Sequence, residues 1–213
     1  MKNTFIILYI LFLPNISFGQ TILSSTVPYE NGDQITYIYR ELPSGKPAVL
    51  NYTFDEITDK SFVGRFYKAD QKGDSVLPIR STAPGTVGDE VCYGAFEKCS
   101  FNPPIKLFDK NIKVGDEWQQ SARVVGETFT SDLTQEVKVI KQERLRIGIG
   151  EFDALKVVAK GKFKGVTTKG DKFSATETLE LWVGNVRNKV VSLKINYSNS
   201  LQEKWSTELV RGP

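Results

Sequence analysis

The sequence predicts a mainly β protein, either a curved antiparallel sheet or an open, β-barrel-like meander with a hairpin-rich N-terminal half. Apolar and polar side chains alternate through positions 143–209, which is typical of strands with one buried and one solvated face. Short alternating segments between Gly-, Pro- and Asn-containing turns fill the N-terminal half and favour hairpins. No segment shows a convincing amphipathic helix pattern.

Residues 1–19 are predicted to be a secretory signal peptide. Lys2 precedes an apolar run from Phe5 to Leu13, and the small residues Ser17 and Gly19 follow it. This run is much shorter than the roughly 20 apolar residues that span a bilayer. We therefore expect an exported protein, periplasmic or extracellular, with no transmembrane segment in the mature chain. An uncleaved membrane anchor is the alternative.

Residues 20–104 are predicted to be a region of β-hairpins with a disulfide loop. The stretch 81–104 contains three prolines, three glycines and both cysteines, and this composition predicts an ordered loop that serves as a lid, linker or insertion. The loop is also the candidate boundary with a C-terminal part, although both parts are expected to form one continuous domain. Alternation and turns predict strands over 34–42, 48–57, 61–68 and 75–80.

Cys92 and Cys99 are the only cysteines of the chain. An even pair this close in an exported protein typically forms a disulfide, so we expect a Cys92–Cys99 bond. A redox or metal-binding pair is the alternative. Redox motifs favour two intervening residues, and the chain has no histidine to complete a zinc site.

Residues 105–213 are predicted to form an antiparallel β-meander, with four strands after residue 143. Lys141 and Glu143 interrupt the apolar alternation of 133–149, which predicts a bulge near Lys141. A helix is the alternative there, because the segment is rich in helix-forming residues. Gly148-Ile149-Gly150 predicts a tight corner between strands.

The odd positions of the meander predict one face lined by large apolar side chains. A sheet without a covering helix needs a cover from the N-terminal strands, from the 81–104 loop or from a hydrophobic ligand such as a lipid. Large apolar pockets with few polar groups are typical of lipid-type sites, and a packed core is the alternative. The candidate ligand-binding residues on this concave face are Phe163, Phe173, Leu181, Tyr197 and Trp205.

The even positions predict a solvated, charged face. Such a face must carry exposed charges that balance across strands. A basic patch for an anionic lipid or polymer is the alternative. The charged residues assigned to this face are Lys156, Lys160, Lys162, Lys164, Lys172, Lys194 and Lys204, balanced by Glu177, Glu180, Glu203 and Glu208.

The residue types argue against most enzyme chemistries. The chain has no histidine, which excludes Ser-His and Cys-His catalysis. It also lacks the serine-hydrolase and glycine-rich nucleotide-binding motifs. We therefore predict no enzyme activity, no catalytic residue, no cofactor and no metal. A hydrolase of envelope polysaccharide that uses Asp89–Glu90 or Asp116–Glu117 is the remaining enzymatic alternative.

The charge balance points to no nucleic-acid partner. The formal net charge is +3, and removal of residues 1–19 takes away one lysine and no acidic residue. A nucleic-acid footprint needs a stronger and clustered basic excess. The net charge by itself therefore implies no particular partner.

The C-terminal half resembles a family of exported bacterial proteins of unknown function. Their pattern is Glu-x-(Val/Leu)-x-apolar-x-x-Gly-x-Phe-x-Ala-x-Lys-(Val/Ile), then a Trp-containing strand, an apolar strand and a closing Glu-Leu. The segment 114–118 is similar to the family's Val-Gly-Asp-x-Trp turn. The matching residues here are Glu143, Leu145, Gly150, Phe152, Ala154, Lys156, Val157, Trp182, Glu208 and Leu209.

Members of that family resemble the open β-barrel of periplasmic lipoprotein carriers, which implies a curved sheet able to hold an acyl chain. The predicted function is therefore a non-enzymatic cell-envelope protein that binds a hydrophobic ligand or a partner protein on a concave sheet face. A structural or interaction module with a fully packed interior is the main alternative.

Overall fold

The computed structural model describes residues 29–213 with short gaps, so the predicted signal peptide lies outside the described residues. The gaps are 43–44, 46, 59–61, 69–76, 82–85, 93–96 and 109–110. Only the backbone is described at 62, 66–68, 77–81, 86–92 and 97.

Over these residues the chain forms twelve antiparallel strands and no helix. The predicted mainly β fold class is confirmed, and β9–β12 are the four predicted strands of the C-terminal meander. The strands are β1 (Gln34–Glu41), β2 (Ala48–Ile57), β3 (Phe62–Lys68), β4 (Leu77–Ser81), β5 (Thr86–Cys92), β6 (Glu97–Lys106), β7 (Glu117–Val125), β8 (Phe129–Ile147), β9 (Gly150–Thr167), β10 (Lys172–Val186), β11 (Lys189–Asn199) and β12 (Lys204–Arg211).

The sheet closes into a barrel. Each strand pairs with the next, and β12 pairs with β1, where Tyr37 lies opposite Leu209. Closure satisfies the backbone groups that β1 and β12 would otherwise leave as open edges. The narrowest junction is between β4 and β5, which share the single pair Arg80–Asp89.

The prediction of a loop over 81–104 is wrong, because this stretch contributes β5 and most of β6 to the sheet. Its prolines suggested a loop, since proline cannot donate to a ladder. However, Pro103 and Pro104 take part in neither the β5–β6 nor the β6–β7 ladder. Their missing N–H groups therefore remove no ladder hydrogen bond.

The predicted Cys92–Cys99 disulfide stays a prediction, because the side chain of Cys92 lies outside the described residues. The two cysteines lie on paired strands, with Cys92 opposite Glu97 and Cys99 opposite Glu90. Cys99 is fully buried.

The disulfide can be tested by thiol alkylation in denaturant. We expect the unreduced, unfolded chain to take up no alkylating reagent and the reduced chain to take up two groups, as measured by intact mass. Alkylation of the unreduced chain would contradict the disulfide. The reduced protein should also be about 2 to 3 kcal/mol less stable, because the short covalent loop restricts the unfolded chain.

The core consists of three apolar clusters. The first lies among β1, β2, β11 and β12, the second among β8–β10, and the third among β6–β8. We call the side of the sheet that carries these residues along most of each strand the interior face, and the opposite side the outer face. Fully buried leucines of the clusters are Leu50, Leu133, Leu155, Leu181, Leu193 and Leu209.

The predicted bulge near Lys141 is confirmed, since the β8–β9 register shifts between Val139 and Lys141. Val139 pairs with Val157, and both pack in the second cluster. Beyond the bulge, Lys141 pairs with Lys156 on the outer face. The bulge therefore turns the last third of β8 over and moves Glu143 to the outer face.

The interior face is covered by the chain itself in two places. β1 and β2 place Tyr37 and Leu50 in the first cluster. The N-terminal strands were one of the three predicted covers of this face. The connection between β6 and β7 adds Phe108 and Ile112, which are 7% and 3% exposed, to the second cluster. The β6–β7 connection thus covers part of the interior face.

The turn before β1 packs against the start of β11. The Tyr29 hydroxyl donates a hydrogen bond to the carbonyl of Val190 at 2.8 Å. Asp33 forms a buried ion pair with Lys189, whose ammonium also lies 5.6 Å from the Tyr29 ring. Burial of Tyr29 beside Asp33 raises the pKa of its hydroxyl. The turn therefore fixes β1 to β11 across β12.

Candidate functional site

Three of the five predicted ligand-binding residues lie together on the interior face. Tyr197 lies directly opposite Trp205, and their rings stack with centroids 4.9 Å apart. Tyr39 adds a third ring, 5.9 Å from Trp205. Leu181 and Trp205 are only 1% and 6% exposed. The chain's own side chains therefore fill the sheet at this position.

The other two predicted residues lie on the same face at a different place. Phe163 pairs with Leu133 and packs against the third cluster. Phe173 contacts Phe129 edge to face, with centroids 6.0 Å apart. Both predicted phenylalanines are half-buried. The five residues thus lie on one face but contact different clusters, and their role in ligand binding stays a prediction.

Glu177 was assigned to the solvated face, and this assignment is wrong. It lies on the interior face, opposite Gly161 on β9 and Asn199 on β11. A Cβ atom at Gly161 would lie 2.5 Å from Oε1 of Glu177, so the glycine makes room for the carboxylate. Glu177 occupies an odd position, as Leu181 does, and this parity predicts the interior face. The assignment to the solvated face followed its charge instead.

A chain of buried and half-buried polar groups holds the Glu177 carboxylate. The Gln120 amide donates to Gln135 at 2.6 Å, and the Gln135 amide donates to Glu177 at 3.0 Å. Tyr197 also hydrogen-bonds to Glu177, and Asn199 donates to the Tyr197 hydroxyl at 3.3 Å. Burial, only partly offset by these hydrogen bonds, raises the pKa of Glu177 to about 7. This carboxyl can therefore exchange a proton near neutral pH.

A groove of about 620 Å³ opens on the other side of the same strands. It follows the outer face of β10, β11, β12 and β1 and includes apolar, polar and charged residues. The lining residues are Ile38, Arg40, Leu42, Thr178, Glu180, Lys194, Asn196, Tyr197, Ser198, Lys204, Trp205, Ser206, Thr207 and Glu208. We call this feature the outer groove.

Trp182 lies on the outer face beside the outer groove. Its indole N–H donates to a Glu143 carboxylate oxygen at 2.7 Å. The ammonium groups of Lys156 and Lys194 lie 4.6 and 5.6 Å from its ring centroid. Glu143 also binds Lys141 at 2.8 Å, and the hydrogen bonds from Lys141 and Trp182 lower its pKa. Glu143, Lys156 and Trp182, which carry the family resemblance, therefore meet at one place.

The two carboxylates of the outer groove already have partners. Glu180 forms an ion pair with Lys156 at 2.6 Å. Glu208 accepts a hydrogen bond from the backbone N–H of Gly148 at 3.0 Å. Within the described ranges, no carboxylate lies within ion-pair distance of the three remaining cations of the groove. These cations are Arg40, Lys194 and Lys204.

Of the two carboxylate pairs proposed for hydrolysis, the described pair Asp116–Glu117 makes turn and surface contacts. Asp116 accepts a hydrogen bond from the backbone N–H of Lys113 at 3.0 Å, as turn aspartates do. Glu117 lies 3.4 Å from Lys138. The side chains of Asp89 and Glu90 lie outside the described residues. No group of three or more potential metal-binding side chains occurs among the residues described.

These features define a closed, all-β antiparallel barrel with a groove on its outer face. Its fold is similar to that of a Bacteroides fragilis protein with a YmcC-like fold, which is provisionally described as exported. The TM-score is 0.56 and the sequence identity is 15%, and the match covers 86% of this chain and 96% of that chain. A Parabacteroides distasonis protein, provisionally described as a lipoprotein, has TM-score 0.54, 18% identity, and coverage of 89% and 97%. At these identities the similarity shows the fold alone.

No protein-family model matches the sequence, and no curated protein matches it. The resemblance to a family of exported proteins therefore stays a prediction. Among the described residues, no helix is long and apolar enough to cross a bilayer.

Proposed function

We propose that this chain is an exported, non-enzymatic cell-envelope protein that binds a partner protein in the outer groove. The predicted signal peptide supports export, as do the provisional descriptions of the two structures with a similar fold. The observation that carries the binding role is the groove itself, in which three cations have no carboxylate partner among the residues described. Concave sites with a few convergent polar groups are typical binding sites.

A partner protein suits the outer groove better than a lipid does. Its lining includes three cations without a carboxylate partner among the described residues, and such charges match an acidic protein surface better than an acyl chain. On the interior face, the buried Leu181 and the stacked Tyr197 and Trp205 favour the packed-interior alternative at that position.

A hydrophobic ligand remains a second candidate at one place on the interior face. Phe163 and Phe173 are half-buried; Phe173 contacts Phe129 and Phe163 packs against the third cluster, so an apolar ligand would find aromatic surface there. Native mass spectrometry of the gently purified protein tests this role. Co-purified lipid that is lost in Phe163→Ala but retained in Leu201→Ala, which alters an exposed turn residue, supports it; empty wild-type protein contradicts it.

Site-specific photo-crosslinking in the native host tests the partner role. A photoreactive residue at Asn196, inside the outer groove, should give a discrete crosslinked product whose partner is identified by mass spectrometry. The same residue at Lys162, which is exposed on the outer face of β9 away from the groove, is the matched control. Equal products from both positions, or no product from Asn196, would contradict binding in the groove.

A further inference from the structure

We propose that the occupant of the outer groove is an acidic, extended polypeptide segment of the partner. This inference rests on the proposed function and specifies the chemistry of the ligand. The charges that line the groove support it first. Glu180 pairs with Lys156 and Glu208 accepts a hydrogen bond from Gly148, so neither carboxylate forms an ion pair with the three cations of the groove. A concave surface with excess positive charge attracts and orients an acidic partner.

The positions of the cations favour an extended ligand over a small anion. Lys194 and Ser198 both face outward on β11, and Ser198 pairs with Lys204 on β12. At about 3.3 Å per residue, Lys194 and Lys204 lie about 13 Å apart along the groove. Arg40 pairs with Ser206, which is between these two positions. A single carboxylate or phosphate cannot contact charges spread over this distance, whereas successive side chains of an extended segment can.

The rest of the lining suits a polypeptide. The outward side chains between the cations carry amide and hydroxyl groups that can bind backbone amides or carboxylates. The Arg40 guanidinium offers the planar pair of donors that matches a carboxylate. Ile38 and Leu42 add apolar surface on the β1 side, and Leu42 is 43% exposed. The interspersed amide and hydroxyl groups are Thr178, Asn196, Ser198 and Ser206.

Fluorescence anisotropy with the mature chain tests the inference. The probe is a labelled short peptide of Glu, Ser and Leu, and its matched control has Gln in place of every Glu. The acidic peptide should bind with an affinity that weakens as salt increases, and the Gln peptide should bind at least about tenfold more weakly.

Two variants that each remove three positive charges distinguish binding in the groove from attraction by the net charge of the protein. The groove variant combines Arg40→Gln, Lys194→Gln and Lys204→Gln and should weaken binding by about tenfold or more. The control variant combines Lys160→Gln, Lys162→Gln and Lys164→Gln on the exposed outer face of β9 and should change affinity less than about twofold. Thermal unfolding of both variants verifies that they fold.

Several results would overturn the inference. Equal losses in the two variants would mean that net charge alone attracts the peptide. Tighter, groove-dependent binding of polyphosphate would identify another class of polyanion as the ligand. Absence of peptide binding while the Asn196 crosslink persists would reject the acidic peptide and leave the proposed function intact. Loss of both peptide binding and crosslink would reject both.

Discussion

Leu209→Ala is expected to lower the free energy of unfolding by about 3 kcal/mol. Leu209 is 0% exposed in the first cluster, and truncation of a buried leucine removes apolar burial and leaves a cavity. The residue also belongs to β12, where it faces Tyr37 across the ladder that closes the barrel. Urea unfolding, followed by tryptophan fluorescence, measures the change.

Leu201→Ala is the matched control for this prediction. It is the same substitution at a residue that is 56% exposed, in the turn between β11 and β12. The expected change is within about 0.5 kcal/mol, because exposed side chains contribute little burial. Similar losses at both positions would mean that β12 does not direct Leu209 into the core.

Glu177→Gln is expected to make the protein more stable above neutral pH and to flatten its pH dependence. Burial raises the pKa of Glu177 from 4.5 to about 7, so the folded protein holds the proton more tightly than the unfolded chain. The stability contributed by the neutral carboxyl is complete below about pH 4.5, declines as pH rises, and is lost above about pH 7. Above that pH, wild type is destabilised by up to about 3 kcal/mol relative to a neutral isostere.

Glutamine suits this position because it keeps the hydrogen bonds while removing the charge. Its carbonyl can accept from Gln135, and its amide can donate to Tyr197, the two groups that bind the carboxylate. Urea unfolding from about pH 5 to pH 8 should show stability falling in wild type relative to the variant. Glu127→Gln, in the exposed turn before β8, should follow wild type throughout. Parallel curves for wild type and Glu177→Gln would refute a buried, proton-binding carboxyl.

The parts of the fold that depend on local alternation were predictable. One buried face forces apolar residues onto every second position, so the sequence predicts β9–β12 and places Leu181, Tyr197 and Trp205 on one face. The bulge at Lys141 was predictable for the same reason, because it breaks the alternation. Bulges leave this mark in a sequence wherever the strand keeps one buried face.

The parts that depend on distant pairing or on context were not predictable. The pair Tyr37–Leu209 joins opposite ends of the sheet, and no local pattern indicates it. β5 and β6 were missed because their Pro and Gly content is typical of loops. Glu177 was misplaced because a charged residue type outweighed its odd position. The outer groove arises only where the outward residues of four strands meet after closure.

The ladder between β1 and β12 sets a constraint on the order in which the protein folds. Among the described strands β1 is synthesised first and β12 last, so the pairing that completes the ring has the greatest separation along the polypeptide. Contacts between residues far apart in the sequence slow folding. Until β12 is in place, β1 presents an unpaired edge. A nascent chain therefore needs protection from aggregation until its final strand has emerged.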